Sequence, residues 1–198
     1  MATVNSSSEA QIPPSAALLQ SLPWAVALLG LTWAGAQWPL PLPPGQREGV
    51  VVALLLVYFV FRSRRPWNLL VLAALAWALG ALWRLVGPVH HIEWISLMTG
   101  VAGVSALVWA WRRPASSAFW SFSLGLLWLV YTITWAYGWW QGRFPTWHGF
   151  LGLATFTLLT VEGFRSILHA KPSTSAVAVG DVYLSLNVLA WLIWTLWH

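Results

Sequence analysis

The sequence predicts an all-α protein: a polytopic integral membrane bundle of seven, or alternatively six, transmembrane helices. The composition is 59% hydrophobic and 8% charged, whereas soluble domains are about half apolar and a quarter charged. The apolar residues also fall into runs of about 20, the length that a helix needs to cross a hydrocarbon layer of about 30 Å. Charged residues, Pro and Gly separate these runs.

Seven such runs can be read along the chain, and they occupy most of it. They are Ala17–Trp38, Gly45–Arg62, Trp67–Val86, Ile92–Trp111, Ala118–Trp140, Trp147–Leu168 and Ala178–Trp197. The connections are too short for a separate soluble domain, so residues 17–198 are expected to form a single transmembrane domain. Residues 1–16 lack the basic segment of a secretory signal and are expected to form a disordered tail.

The second run is the weakest, and it is the source of the six-helix alternative. Its uncharged stretch, residues 49–61, is short, so it needs Arg47 and Glu48 near one interface in order to cross. It could instead be re-entrant. Pro43 and Pro44 precede it and suit a helix start, because Pro is tolerated in the first helical turn.

The cationic residues predict the orientation. Ten Lys and Arg are scattered singly or in pairs between apolar runs, which favours a lipid bilayer as the partner and argues against nucleic acid. Seven lie on one side of a seven-helix bundle and three on the other. The seven are Arg62, Arg64, Arg65, Arg112, Arg113, Arg165 and Lys171; the three are Arg47, Arg84 and Arg143. The positive-inside rule then places the N-terminus in the cytoplasm and the C-terminus outside.

Two further features of the composition bear on function. The chain has no Cys, which excludes disulfides, thiolate metal sites and thiol nucleophiles. It has 18 Trp, many of them near the ends of the runs, where amphipathic rings anchor a protein at headgroup depth. Trp77, Trp128 and Trp191 lie deeper, which indicates helix packing or else contact with a flat conjugated ligand or a partner helix.

A first group of candidate site residues lies on the predicted outer side: His90, His91, Glu93 and His148. His90 and Glu93 are three residues apart and would share a helix face, while His148 begins the sixth run, above Gly149. Two imidazoles on facing helices could bind haem b or another tetrapyrrole. A His beside a carboxylate could instead serve a quinol.

The same residues allow a metal site, and they also have a simpler interpretation. His90, Glu93, His148 and His198 offer imidazole and carboxylate ligands of the kind that zinc, copper, nickel or non-haem iron accept. Polar residues at helix ends are, however, easily solvated. The group shows no diagnostic ligand spacing such as HExxH.

A second group lies toward the predicted inner side: Glu162, Arg165, Asp181 and Asn187. Glu162 is deep in the sixth run, where an acid is normally paired or functional, and the spacing predicts an ion pair with Arg165. Asp181 is predicted to cap the start of the seventh helix. If Glu162 instead faces a cavity with Asp181 and Asn187, it becomes part of a proton relay or ion pathway.

These features favour a non-catalytic integral subunit or accessory protein of a larger membrane complex, of the bioenergetic, respiratory or photosynthetic kind. Other membrane protein subunits are then the expected partners, and no catalytic residue is assigned. The alternative is a small membrane redox protein with haem, metal or quinol bound by the first group. A second alternative is a proton-coupled transporter that uses Glu162.

Overall fold

A computed structural model describes residues 13–38, 41–64, 66–84, 92–113, 118–143, 145–169 and 174–197. They form seven α-helices, and the described part of the chain contains no β-strand. The helices are α1 (Pro14–Gln37), α2 (Pro44–Phe61), α3 (Trp67–Trp83), α4 (Ile92–Arg112), α5 (Ala118–Gln141), α6 (Thr146–Leu168) and α7 (Ser175–Trp197). The predicted fold class is therefore confirmed.

The helix ends follow the local chemistry of the chain. α1 and α2 each begin with a Pro in the first turn. The N–H that Pro lacks would have no acceptor within the helix at this position, so no hydrogen bond is lost. Five helices, α1 and α4–α7, are long and apolar enough to cross a membrane. The apolar part of α2, Gly49–Phe61, and the whole of α3 are shorter. These two helices are the short members of the bundle.

One predicted boundary is wrong in a way that affects a candidate site. α7 begins at Ser175 rather than Ala178, because the carbonyl of Thr174 accepts hydrogen bonds from the N–H groups of Val177 and Ala178. Asp181 therefore lies in the second turn of α7 and does not cap it. Its carboxylate is available for a contact with another helix.

α6 and α7 form the centre of the bundle and pack extensively on each other. α4 packs on both, α1 packs on α3 and α7, α2 packs on α3, and α5 packs on α6. The main core cluster joins side chains of α1, α2, α3, α6 and α7. We call the end of the bundle with Arg62, Arg113 and Arg165 the basic face, and the end with Trp83 the Trp83 face.

Glycines allow the closest helix approaches. α1 crosses α3 where Gly35 lies against the backbone carbonyl of Trp77 and Gly80 lies against that of Thr32. A Cβ atom at either glycine would overlap the carbonyl oxygen of the other helix. Without a hydrophobic force between helices in lipid, such backbone contact is a main source of helix association.

Threonine hydroxyls are mostly satisfied within their own helices. Thr132, Thr134, Thr155 and Thr160 each donate to the carbonyl four residues earlier, as their positions in apolar helices predict. These hydroxyls are therefore hydrogen-bonded within their own helices and need no partner on a neighbouring helix.

Candidate functional site

The predicted outer-side group lies mostly outside the part of the chain that the structure describes. His90, His91 and His198 lie outside the described residues, as does the side chain of Glu93, whose backbone is in the first turn of α4. His148 is the described member. Among the described residues, no group of three or more His, Asp or Glu side chains is arranged to hold a metal ion.

His148 is buried at the start of α6, with 4% of its surface exposed. Its ring is stacked on that of Tyr131 of α5, with the ring centres 4.7 Å apart and the planes 20° apart. It is also hydrogen-bonded to the backbone of Tyr131, and the ring of Trp147 approaches its edge at 6.3 Å. His148 therefore joins α5 to α6.

The helix surface below His148 is filled by packed side chains. A Cβ at Gly149 would overlap Leu196 of α7, and one at Gly152 would overlap Tyr131 and Leu192. The small residues that could have opened a groove for a tetrapyrrole instead receive side chains from α5 and α7. Haem or quinone binding at His148 stays a prediction.

At the basic face, Asp181 of α7 joins two residues of the α2 end. Arg62 forms an ion pair and a hydrogen bond with one carboxylate oxygen, and the hydroxyl of Tyr58 donates to the other at 3.2 Å. Tyr58 is 1% exposed, whereas the Arg62 side chain is half exposed. Partial burial lowers the pKa of Arg62, but its hydrogen bond to Asp181 and the carboxylate charge offset this, so the pKa is raised. The guanidinium therefore stays charged.

A second polar centre at the basic face surrounds Arg165 of α6. Its Nη1 lies 3.0 Å from Glu162 Oε2, so the ion pair predicted from the spacing is present. Its Nε donates to the carbonyl of Arg113 at 2.8 Å, and its guanidinium lies 5.5 Å from the centre of the Trp120 ring. Arg165 therefore connects α6 to the end of α4 and the start of α5.

Asn187 belongs to a third polar set nearer the Trp83 face. Its Oδ1 accepts a hydrogen bond from Trp83 Nε1 at 3.0 Å, and its Nδ2 donates to the carbonyl of Tyr183 at 2.9 Å. The Tyr183 hydroxyl in turn is hydrogen-bonded to Thr32 of α1. This chain of contacts ties α7 to α3 and α1.

Glu162, Asp181 and Asn187 thus each bind a different set of partners. These contacts do not bring the three side chains to one cavity, which the predicted proton relay would need. The partners themselves, namely Tyr58, Arg62 and Trp83, were not singled out from the sequence for these roles. An Arg and a Tyr at the end of an apolar run, four residues apart, were the available signal for the Asp181 contact.

A groove of about 510 Å³ lies between α3 and α4, which do not pack extensively on each other among the described residues. We call it the lateral groove. Trp83 of α3 and Gly100 and Gly103 of α4 line its sides, and Phe164 of α6 and Leu186 and Asn187 of α7 line its floor. It is open on one side.

Comparisons with known proteins give one partial similarity. A stretch of 75 residues is 36% identical to the phosphatidylglycerol–prolipoprotein diacylglyceryl transferase of Gloeobacter violaceus. It covers 34% of this chain and 28% of that enzyme, so the similarity concerns one part of each protein. No protein-family model matches the chain, and no solved structure matches it.

Proposed function

We propose that this integral membrane protein is a non-catalytic subunit or accessory protein of a larger membrane assembly, and that α5 is the helix that binds the partner. The observation that supports this proposal is the isolation of α5. Only 6% of its most apolar part is buried, against 56% for α7. Within the described residues α5 packs extensively against α6 alone, and the ring of Trp128 also approaches that of Phe59 of α2, with the ring centres 6.0 Å apart.

The surface of α5 is also aromatic along its length. Phe119, Phe122, Tyr137 and Trp140 are all more than 60% exposed. Large, stiff side chains lose little conformational entropy on contact and are enriched where proteins bind each other. A transmembrane helix of a partner is the occupant that such a face suits best.

Site-specific photo-cross-linking in native membranes tests this proposal. A photoreactive residue at Phe122 or Ile133 of α5 should give one discrete protein adduct. The matched controls are Leu22 and Leu29 of α1, which are similarly exposed but lie on a helix packed against α3 and α7; they should give lipid adducts only. Equal adducts from both helices, or purification as a lone chain of 22.0 kDa, would count against the proposal.

The class of assembly can be read from the same preparation. If the assembly is bioenergetic, visible absorbance should follow the larger companions on a native gel, and it should be lost with them when they are removed. Absorbance that remains with the lone chain would instead favour the redox protein with ligands on its own histidines.

A second candidate function is chemistry on a phospholipid, supported by the partial similarity to an enzyme whose name gives phosphatidylglycerol as its diacylglyceryl donor. The protein would be reconstituted in vesicles of phosphatidylglycerol with a prolipoprotein added as the acceptor, and assayed for loss of this lipid. Consumption above that of empty vesicles would favour this function, and consumption equal to theirs would reject it.

A further inference from the structure

The lateral groove has the length of one leaflet of the membrane. It follows α4 from Ile95 to Leu107, which is about 18 Å at 1.5 Å per residue. One leaflet contributes about 15 Å of hydrocarbon. Since α4 begins at Ile92, the groove starts near the Trp83 face and ends beyond the middle of the bilayer.

The shape of the groove depends on two glycines of α4. A Cβ at Gly100 would meet no atom within 4 Å, so this position borders open space. A Cβ at Gly103 would lie 3.4 Å from Leu186 of α7, which is ordinary van der Waals contact. The groove is therefore open at Gly100, whereas at Gly103 the side chain of Leu186 forms its floor. Its volume falls within the range of about 300–1,000 Å³ that is typical of ligand sites.

Two side chains that line the groove, Trp83 and Asn187, already use their polar groups within the protein, whereas the buried hydroxyl of Thr99 has no hydrogen-bond partner among the described residues. Trp83 Nε1 donates to Asn187 Oδ1, and Asn187 Nδ2 donates to the carbonyl of Tyr183. Trp83 and Asn187 therefore offer little to a polar ligand, and the Thr99 hydroxyl lies one helical turn from Ser96, toward the end of the groove near the Trp83 face. An unsubstituted hydrocarbon chain needs no hydrogen-bond partner along the rest of the groove. Ser96, exposed in the first turns of α4, lies at the end of the groove where lipid ester groups begin.

We propose that the lateral groove binds one acyl chain of a glycerophospholipid from the leaflet at the Trp83 face. The ester end lies near Ser96 and the methyl end near Leu107. The chain fills space that neither α3 nor α4 occupies and contacts Phe164 and Leu186. The proposal depends neither on a partner for α5 nor on phospholipid chemistry.

The test uses phosphatidylcholine probes with a diazirine at a shallow or a deep position of one acyl chain. The full-length protein is reconstituted with each probe, diluted into detergent so that loosely bound lipid exchanges, and then irradiated; adducts are located by peptide mass spectrometry. The shallow probe should label α4 near Ser96, and the deep probe should label it near Leu107. Labels that do not move with the diazirine would overturn the proposal.

A matched pair of variants tests the site. Gly100→Phe places a ring in the groove, and labelling should fall about tenfold, since loss of roughly two buried methylenes weakens binding by that factor. Gly30→Phe is the control, because a Cβ at Gly30 of α1 also meets no atom within 4 Å; its labelling should match that of the wild type. Equal labelling in both variants would reject the groove.

Other occupants would give different results. Displacement of the probe by an isoprenoid quinone but not by unlabelled phosphatidylcholine would show that the site takes a quinone. Adducts on a co-purifying polypeptide in place of α4 would show that a protein helix fills the groove. Either result overturns the proposal.

Discussion

Gly35 of α1 and Gly80 of α3 allow the two helices to meet backbone to backbone. The space that a Cβ would need at Gly35 is taken by the carbonyl of Trp77, and the space at Gly80 is taken by the carbonyl of Thr32. Because backbone atoms block both positions, no rotamer change can make room. α1 is attached to the rest of the bundle largely through this crossing and its contacts with α7.

Gly80→Ala should therefore destabilise the protein strongly. The added methyl must push α1 and α3 apart, and we expect a loss of about 3 kcal/mol, at the upper end of overpacking effects. Thermal unfolding in detergent, followed by loss of the monodisperse peak, would measure it. Gly30→Ala on the same α1 is the control, since a Cβ there meets no atom within 4 Å and Ala is the better helix former. Similar melting of the two variants would contradict the interpretation.

The contact between Arg62 and Asp181 should be measurable by a double-mutant cycle. We expect Arg62→Gln and Asp181→Asn each to lower stability, and their coupling energy to be about 1 kcal/mol, because the Arg62 side chain is half exposed and solvent screens the pair. Added salt should reduce the coupling. Tyr58→Phe removes only the second hydrogen bond to Asp181 and should leave the coupling in place. A coupling near zero at low salt would contradict this role.

Arg165 should not be replaceable by Lys. The guanidinium binds Glu162 through Nη1 and the carbonyl of Arg113 through Nε while it lies over Trp120, and an ammonium cannot make both hydrogen bonds in that fixed geometry. We expect Arg165→Lys to lose about 2 kcal/mol, measured by thermal unfolding. Glu162→Gln keeps a hydrogen-bonding side chain and should lose less. Equal losses would mean that the ion pair, rather than the contact with α4, carries the effect.

The sequence was sufficient to predict the helices, because most of the apolar runs end at, or directly before, Pro, Gly, Arg or His. α3 begins at Trp67 and α6 ends at Leu168, as predicted. The start of α7 was missed because the boundary was placed where the apolar run begins, although Thr174 is a preferred N-cap residue type and its carbonyl accepts the first hydrogen bonds of the helix. Hydropathy marks where a helix is apolar and not where its first hydrogen bond forms.

Side-chain contacts could be predicted only when the two residues lie close together in one helix. Glu162 and Arg165 lie three residues apart, and a helical period brings them together. Arg62 and Asp181 lie 119 residues apart, and Trp83 and Asn187 lie 104 apart. Which helix faces which depends on the close approaches at glycines such as Gly35, and a single sequence holds no direct record of those pairings.

Two substitutions at His148 distinguish a packing role of its ring from a role as a cofactor ligand. Its ring is buried and stacked on Tyr131, so His148→Ala should open a cavity and lower stability by about 2–3 kcal/mol. His148→Phe keeps an aromatic ring against Tyr131 and should lose about 1 kcal/mol, chiefly through the hydrogen bond to the Tyr131 backbone. Thermal unfolding of the wild type and both variants would give this order.

The same three proteins should be compared by absorbance in oxidised and dithionite-reduced form. With a packing role, the spectra of the wild type and of His148→Phe are the same, because a phenyl ring replaces an imidazole that only packs against Tyr131 and coordinates nothing. With a ligand role, a haem band in the wild type would be lost in both variants, since neither Phe nor Ala can coordinate iron. Stability would then no longer distinguish Phe from Ala, because loss of the cofactor would dominate both. The combination of rank order and spectrum therefore separates the two roles without knowledge of the positions of the other histidines.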